Sequence, residues 1–176
     1  AAMFETGNTS YTRYDAAEAP SGFVVRTNFA LTGIHPEYAG GYLRFDRAHE
    51  ILNGAAAAGA IDPRFILERC ARDLVNEAVN PYPLPYEGSD PGHPWGFLRT
   101  VHSINRAVTA SAVVFHGVLP GEDPLLATMW AILGEPVCGV ALPLWLKSAE
   151  VSPVLGGSPT SPLRDAVKLA ESLCYT

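Results

Sequence analysis

The chain has 176 residues, of which 48% are hydrophobic and 17% charged, a composition that excludes disorder, coiled coil and collagen. Its net charge is −6 and its Lys and Arg residues form no run, so we expect no nucleic acid partner. No apolar stretch reaches the roughly 18 residues of a membrane span, so we expect no membrane partner. We interpret residues 1–176 as a single domain.

The first half of the chain predicts strands followed by helices. Residues 3–9 are a short strand candidate, and residues 22–30 are a stronger one because β-branched and aromatic side chains dominate them. Apolar residues recur at helical spacing over residues 44–58. An Asp-Pro pair, which is a typical helix start, opens a second predicted helix over residues 62–79.

The second half changes to a strand period after a loop rich in Pro and Gly. Strand-like runs separated by short turns are found at residues 98–104, 109–118, 125–133 and 137–146, and a last helix is predicted over residues 161–174. Short turns between consecutive strands favour an antiparallel meander over parallel strands with crossovers. The order of elements therefore predicts an α+β fold, with helices packed on antiparallel sheet.

Asn28 is the first candidate for a role in chemistry. It stands at the end of the predicted strand 22–30, where a side-chain amide can supply the fixed N–H donor of an oxyanion hole. An Asn in this place also commonly closes a strand through a turn. From position alone, both interpretations stay open.

Arg44 and Arg47 share a helix face at i, i+3 spacing and can together bind a carboxylate. Asp46 and Glu50 are close enough in sequence to pair with them. A solvated, salt-bridged helix start is therefore the alternative interpretation.

No two histidines stand at metal-ligand spacing, and we expect neither a metal nor another cofactor. Cys70, Cys138 and Cys174 show no Cys-x-x-Cys spacing and are typical of small buried hydrophobic residues. A thiol enzyme with Cys70 or Cys138 as nucleophile stays an alternative. The sequence leaves the compartment open, with a secreted or periplasmic location as one alternative, and it allows a homo-oligomer.

Four segments, taken in order, carry a family resemblance. They are Phe4-Glu5 with residues 22–29 (GFVVRTNF), residues 41–48 (GYLRFDRA), residues 103–114 (SINRAVTASAVV) and residues 128–136 (TMWAILGEP). This order resembles the later part of N-terminal-nucleophile (Ntn) amidohydrolases of the acyl-coenzyme A:6-aminopenicillanic acid acyltransferase type, relatives of bile salt hydrolase and penicillin V acylase. In that family a Thr-Asn strand end, an Arg-aromatic-x-Arg helix start, a Thr-x-Ser strand and a Gly-x-Pro strand end follow one another.

The resemblance implies an αββα sandwich of two antiparallel sheets between helix layers. It also implies hydrolysis or transfer of the acyl group of a linear amide by an N-terminal cysteine, exposed by autocleavage, whose α-amino group acts as the base. Asn28 matches the Thr-Asn motif and is implied as the oxyanion donor. We expect contacts with the amide substrate from Arg26, Thr27, Phe29 and Arg44, although many relatives have His where Phe29 stands.

Aromatic side chains supply a candidate acyl pocket. We expect Tyr82, Trp95 and Trp145 to line it, with simple coverage of the core as the alternative. No cysteine precedes the Thr-Asn motif, so the nucleophile is expected on a second polypeptide segment that begins with Cys. The alternative function is a non-catalytic αββα protein that binds a ligand or partner without turnover.

Overall fold

The computed structural model describes residues 2–6, 11–15, 18–19, 21–28, 40–75, 100–150, 152–156 and 161–174. The chain divides into two compact units, residues 1–61 and residues 62–176. Helices and antiparallel strands occur together, which gives the α+β class that the sequence predicts. The expectation of a single domain stays a prediction.

The first unit contains an antiparallel strand pair, β1 (Ala2–Thr6) and β2 (Tyr11–Asp15). Strand β1 confirms the predicted first strand over residues 3–6 and begins one residue earlier, and residues 7–9 of that prediction lie outside the described residues. Strand β2 was not predicted.

The stronger strand prediction, over residues 22–30, is wrong over residues 22–28, which form a turn and irregular backbone, and its last two residues lie outside the described residues. The side chains of Thr27 and Asn28 bond to residues 41 and 44 of the following helix. These bonds hold the segment against the helix instead of in a sheet, although its β-branched residues favour a strand.

Helix α1 (Gly40–Ala57) confirms the first predicted helix and begins four residues earlier. Leu52 and Ala55 are buried on one face, as the apolar spacing predicts. The helix ends where Gly59 adopts a φ of 62°, a left-handed conformation that residues with a Cβ rarely adopt. The backbone N–H of Gly59 donates to the carbonyl of Ala56 at 3.0 Å and closes the last turn.

The second unit begins with the predicted helix start. The Asp62 carboxylate accepts a hydrogen bond from the Phe65 N–H at 2.6 Å, and Pro63 occupies the first turn of α2 (Pro63–Phe65). The helix continues as a π-helical turn, Ile66–Cys70, and ends there, so the predicted extension to residue 79 is wrong over residues 71–75. After the π turn, residues 71–75 form a turn and irregular backbone.

Three strands form an antiparallel meander in the order β3 (Ser111–His116), β4 (Thr128–Leu133) and β5 (Leu142–Trp145). Ser111 pairs with Leu133. The meander confirms the prediction for these strands, although each is shorter than its predicted run.

The predicted strand over residues 98–104 is wrong in its described part, because Thr100–His102 form a 3₁₀ turn. Buried polar contacts explain the difference. The Ser103 hydroxyl donates to the Leu74 carbonyl at 2.9 Å, and the Asn105 N–H donates to the Asp73 carbonyl at 2.9 Å. The segment therefore bonds to the chain that follows the π turn instead of joining a sheet.

Asn105 and Glu135 form a fully buried pair beside β4. The Asn105 Nδ2 donates to the Glu135 carboxylate at 2.7 Å, and the Asn105 amide oxygen accepts from the Val137 N–H at 3.3 Å. Ile132, which has no exposed surface, is the apolar centre of the same region. The last predicted helix is confirmed as α3 (Pro162–Cys174), which buries Leu163 and Val167.

Candidate functional site

Arg44 holds the side chain of Asn28 in one orientation. The Arg44 Nη2 donates a hydrogen bond to the Asn28 Oδ1. A guanidinium group has donors only, so the amide oxygen faces Arg44 and the amide NH₂ faces away. Arg44 is buried, with 9% of its surface exposed, whereas Asn28 is exposed. The two amide N–H donors of Asn28 therefore face solvent, while its amide oxygen is held by the buried Arg44.

Thr27 attaches the same segment to the start of helix α1. Its hydroxyl donates to the carbonyl of Gly41 at 2.6 Å, and Gly41 is buried in the first turn of α1. Arg26 behaves differently: its side chain is exposed and its Nη1 donates to the neighbouring Val25 carbonyl at 2.7 Å. Thr27 and Arg26 were both predicted to contact substrate. The structure bonds Thr27 to α1 next to the Asn28–Arg44 pair, whereas Arg26 bonds to its own neighbour in the chain.

Arg44 and Arg47 have different partners. Arg47 pairs with Glu50 at 2.8 Å, as the alternative interpretation of this helix start predicts. The same interpretation predicts that Arg44 is exposed to solvent. That prediction is wrong, because the side chain of Arg44 is buried and bonded to Asn28. Phe29 lies outside the described residues.

A histidine that sequence reasoning did not assign lies one turn beyond Arg44. The ring of His49 packs against Phe45 at a centroid distance of 4.2 Å and against Phe23 at 5.6 Å. Its Nδ1 lies 2.9 Å from the Phe45 carbonyl oxygen, which makes Nδ1 the protonated donor nitrogen. The i, i+4 spacing of Phe45 and His49 was a signal for this contact. The aromatic cluster attaches the segment that carries Asn28 to α1.

The second unit contains an apolar groove at one end of the meander, with a volume of about 340 Å³. Its walls include Phe115, Met129, Leu144, Trp145 and Leu146. Phe115 is 80% exposed and Leu146 is 74% exposed, which is unusual for large apolar side chains that line the same groove. We call this feature the strand-end groove.

Trp145 is the predicted acyl-pocket residue that the structure describes, and it lies in the strand-end groove. Tyr82 and Trp95 lie outside the described residues. Near the groove, Lys147 binds Asp123 at 2.8 Å, and the Asp123 carboxylate also accepts from the Leu125 N–H at 3.0 Å. Both bonds favour the charged carboxylate, the one with Lys147 more strongly, and they lower the pKa of Asp123.

The other candidates for chemistry are thiols and metal ligands. The thiols of Cys70 and Cys138 are half-buried. Within the described ranges, no three His, Cys, Asp or Glu residues are grouped so as to hold a metal ion. In the same part of the chain, no helix has the length and apolar character to cross a membrane.

Comparisons with known proteins leave the family open. No family model, no curated protein and no solved structure matches the chain. The likeness to Ntn amidohydrolases rests on the four ordered sequence segments. The hydrogen bond between Arg44 and Asn28 is independent of that likeness, because it is seen in the structure of this chain.

Proposed function

We propose that this chain is part of a cysteine Ntn amidohydrolase or acyltransferase that cleaves or transfers the acyl group of a linear amide. The observation that carries the proposal is the hydrogen bond from Arg44 to the Asn28 amide oxygen, which leaves the amide N–H donors exposed. In this role Asn28 donates to the oxyanion of the tetrahedral intermediate. Removal of one such donor costs roughly 3 kcal/mol of transition-state stabilisation.

The proposed reaction requires a cysteine nucleophile on a second segment with a free α-amino group. The α-amino group takes the thiol proton, and the thiolate attacks the amide carbonyl carbon. As the C–S bond forms, the carbonyl oxygen becomes the oxyanion that Asn28 binds. Collapse of the intermediate breaks the C–N bond, and the leaving amine takes the proton back. Water or an acceptor amine then releases the acyl group from sulfur.

Arg44 contributes to this chemistry through Asn28. A hydrogen bond from a guanidinium to the amide oxygen is charge-assisted and fixes the plane of the amide. It also draws electron density from the amide group, which makes the N–H groups better donors. Because Arg44 is buried, water screens its positive charge less than it would at the surface.

The meander supports the sandwich fold within this proposal. Side chains on both faces of the central strand β4 are apolar: Met129 and Ala131 point to one face, and Trp130 and Ile132 point to the other. A sheet that is apolar on both faces needs a covering layer on each side. The middle sheets of an αββα sandwich have this requirement.

The strand-end groove, a feature of the second unit by itself, suits an apolar acyl group. Its volume of about 340 Å³ falls within the range of small-molecule sites, about 300–1,000 Å³. Aromatic walls from Phe115 and Trp145 suit an aromatic or branched acyl chain. The same groove also favours the second candidate, a protein that binds an apolar ligand without turnover, because its walls do not depend on a nucleophile.

The two candidates are distinguished by identifying every polypeptide in the purified protein by intact mass and N-terminal sequencing. The same sample is then assayed for amide hydrolysis with a panel of acyl amides. The proposal predicts a segment that begins with Cys, together with hydrolysis that iodoacetamide abolishes. A preparation in which no polypeptide begins with Cys and no amide is hydrolysed would support the binding protein instead.

A further inference from the structure

A second cavity, of about 280 Å³, lies between the π-helical turn and the meander. We call it the arginine pocket, and its walls are Arg64, Leu67, Glu68, Arg72, Trp130 and Ala141. It shares no residue with the strand-end groove. Any ligand of the arginine pocket therefore binds a different surface from the proposed acyl group.

The helical side of the pocket is formed by an uncommon turn. Leu67 and Glu68 belong to the π-helical turn Ile66–Cys70, and Arg72 follows it directly. The i→i+5 hydrogen bond of this turn joins the Ala71 N–H to the Ile66 carbonyl at 2.8 Å. Single π turns are rare and frequently accompany functional sites.

Arg72 is held rigidly at the pocket wall. Its Nε donates to the Pro136 carbonyl at 3.0 Å, and its Nη2 donates to the Gly139 carbonyl at 2.7 Å. These bonds use two of the five guanidinium N–H groups, and the other three have no acceptor among the described residues. A ligand acid therefore meets donors that are already ordered, so little side-chain entropy is lost on binding.

The charge at the pocket favours an anion. Its walls carry two guanidinium groups and the single carboxylate of Glu68, which already accepts from Arg64 at 2.9 Å. The remaining walls are apolar or aromatic, with the indole of Trp130 as the largest. The Nε1 of Trp130 is buried and has no hydrogen-bond partner in the described part of the chain, so a donor here lacks its acceptor.

We infer that the arginine pocket binds a small organic carboxylate, with its acid group on Arg72 and its apolar body against Trp130 and Leu67. The volume equals that of about nine liquid water molecules, which suits a carboxylate with one ring rather than a long chain. A bidentate contact with a guanidinium is the usual recognition of a carboxylate in proteins. The inference does not depend on the proposed amidase activity, since it uses neither Asn28 nor the strand-end groove.

The test uses benzoate as the probe and benzamide as its neutral match. Each is titrated into the full chain labelled with ¹⁵N, and the indole N–H resonance of Trp130 is followed by NMR. Because the chain has three Trp residues, the Trp130→Phe variant assigns the resonance. We expect a saturable shift with benzoate, with a Kd on the order of 1 mM, and at least about tenfold weaker binding of benzamide.

Variants at Arg72 and Arg64 show which guanidinium group binds the carboxylate of benzoate. Arg72→Gln should weaken benzoate about tenfold or more, because it removes a charge-assisted contact. Arg64→Gln should weaken it about threefold without loss of thermal stability, since the Arg64 side chain is 81% exposed. Arg164→Gln, on the exposed face of α3, is the matched control and should leave benzoate binding unchanged.

Three results would overturn the inference. The first is equal affinity for benzoate and benzamide, and the second is the absence of a saturable shift at about 20 mM benzoate. The third is binding of inorganic phosphate as tightly as benzoate, which would indicate a general anion site without recognition of an apolar body. Should Arg72→Gln fail to fold, unchanged benzoate affinity in Arg64→Gln would also contradict the inference.

Discussion

At the scale of single residues, the Asn28–Arg44 pair is the candidate oxyanion-binding feature of the first unit. The two residues are 16 positions apart, and their bond joins an irregular segment to the first turns of α1. Thr27 adds a second bond to the same helix through the Gly41 carbonyl. An amide attached in this way keeps its donors in one direction, which is the preorganisation that an oxyanion hole requires.

Replacement of Arg44 separates a positioning role from substrate binding. In the proposed enzyme, Arg44→Met should lower kcat about tenfold or more with little change in KM, since the amide of Asn28 loses its charge-assisted partner. Arg44→Lys, which keeps a positively charged donor group, should recover part of the activity. Melting temperatures are measured alongside, and Arg47→Met is the control on the same helix face. A raised KM with unchanged kcat would show instead that Arg44 binds substrate.

At the scale of elements, the turn after β4 couples the sheet to the π turn. Gly139 lies against the side chain of Ile132, which is completely buried, and its carbonyl accepts from Arg72. A Cβ at this position would collide with the Ile132 side chain. Glycine at position 139 therefore serves two contacts: it leaves room for the Ile132 side chain of the sheet, and its carbonyl holds Arg72 at the arginine pocket.

Gly139→Ala should destabilise the protein by about 1–3 kcal/mol, because the added methyl group overpacks a filled core. Gly117→Ala is the matched control: among the described residues, no heavy atom lies within 4 Å of the point that its Cβ would occupy, and its effect should stay within about 0.5 kcal/mol. Urea denaturation measures both variants. Equal midpoints for Gly139→Ala and the unchanged protein would contradict the packing.

Elements with strong local signals could be predicted from the sequence, and those fixed by distant contacts could not. Helix α1 follows from apolar spacing, and the start of α2 follows from the Asp62-Pro63 pair, whose capping bond is local. Residues 22–28 were wrongly predicted as a strand because side chains of this segment bond to α1. Residues 100–104 were misassigned because Ser103 binds a carbonyl 29 positions away.

The candidate site shows the same division. The Thr-Asn motif selected Asn28, but nothing near Arg44 in sequence indicated that the two residues bond. Nearby acidic residues instead predicted an ion pair within α1, and the structure contains that pair at Arg47 and Glu50. The arginine pocket was not predicted, since the sequence indicated a continuous helix over residues 62–79 and gave no signal for the π turn that precedes Arg72.

At the scale of the whole molecule, the proposed functions divide between the two units. The first unit, residues 1–61, contains the candidate oxyanion donor and its support. The second unit, residues 62–176, contains the strand-end groove and the arginine pocket. Within the proposal, oxyanion binding depends on Asn28 and recognition of the acyl group on the strand-end groove, whereas carboxylate binding depends on the arginine pocket, which includes neither. The two activities can therefore be lost separately by mutation.

The most direct measurement is the turnover of an acyl amide by the proposed enzyme carrying Asn28→Ala. Asn53→Ala, an exposed Asn on α1, is the matched control. If Asn28 binds the oxyanion, kcat should fall by about 10² to 10³ in a variant that stays folded, while the control keeps full activity. The melting temperature of Asn28→Ala should fall, because the buried Arg44 loses a hydrogen-bond partner. A loss of less than about threefold would remove Asn28 from the mechanism and contradict the proposed function of the first unit.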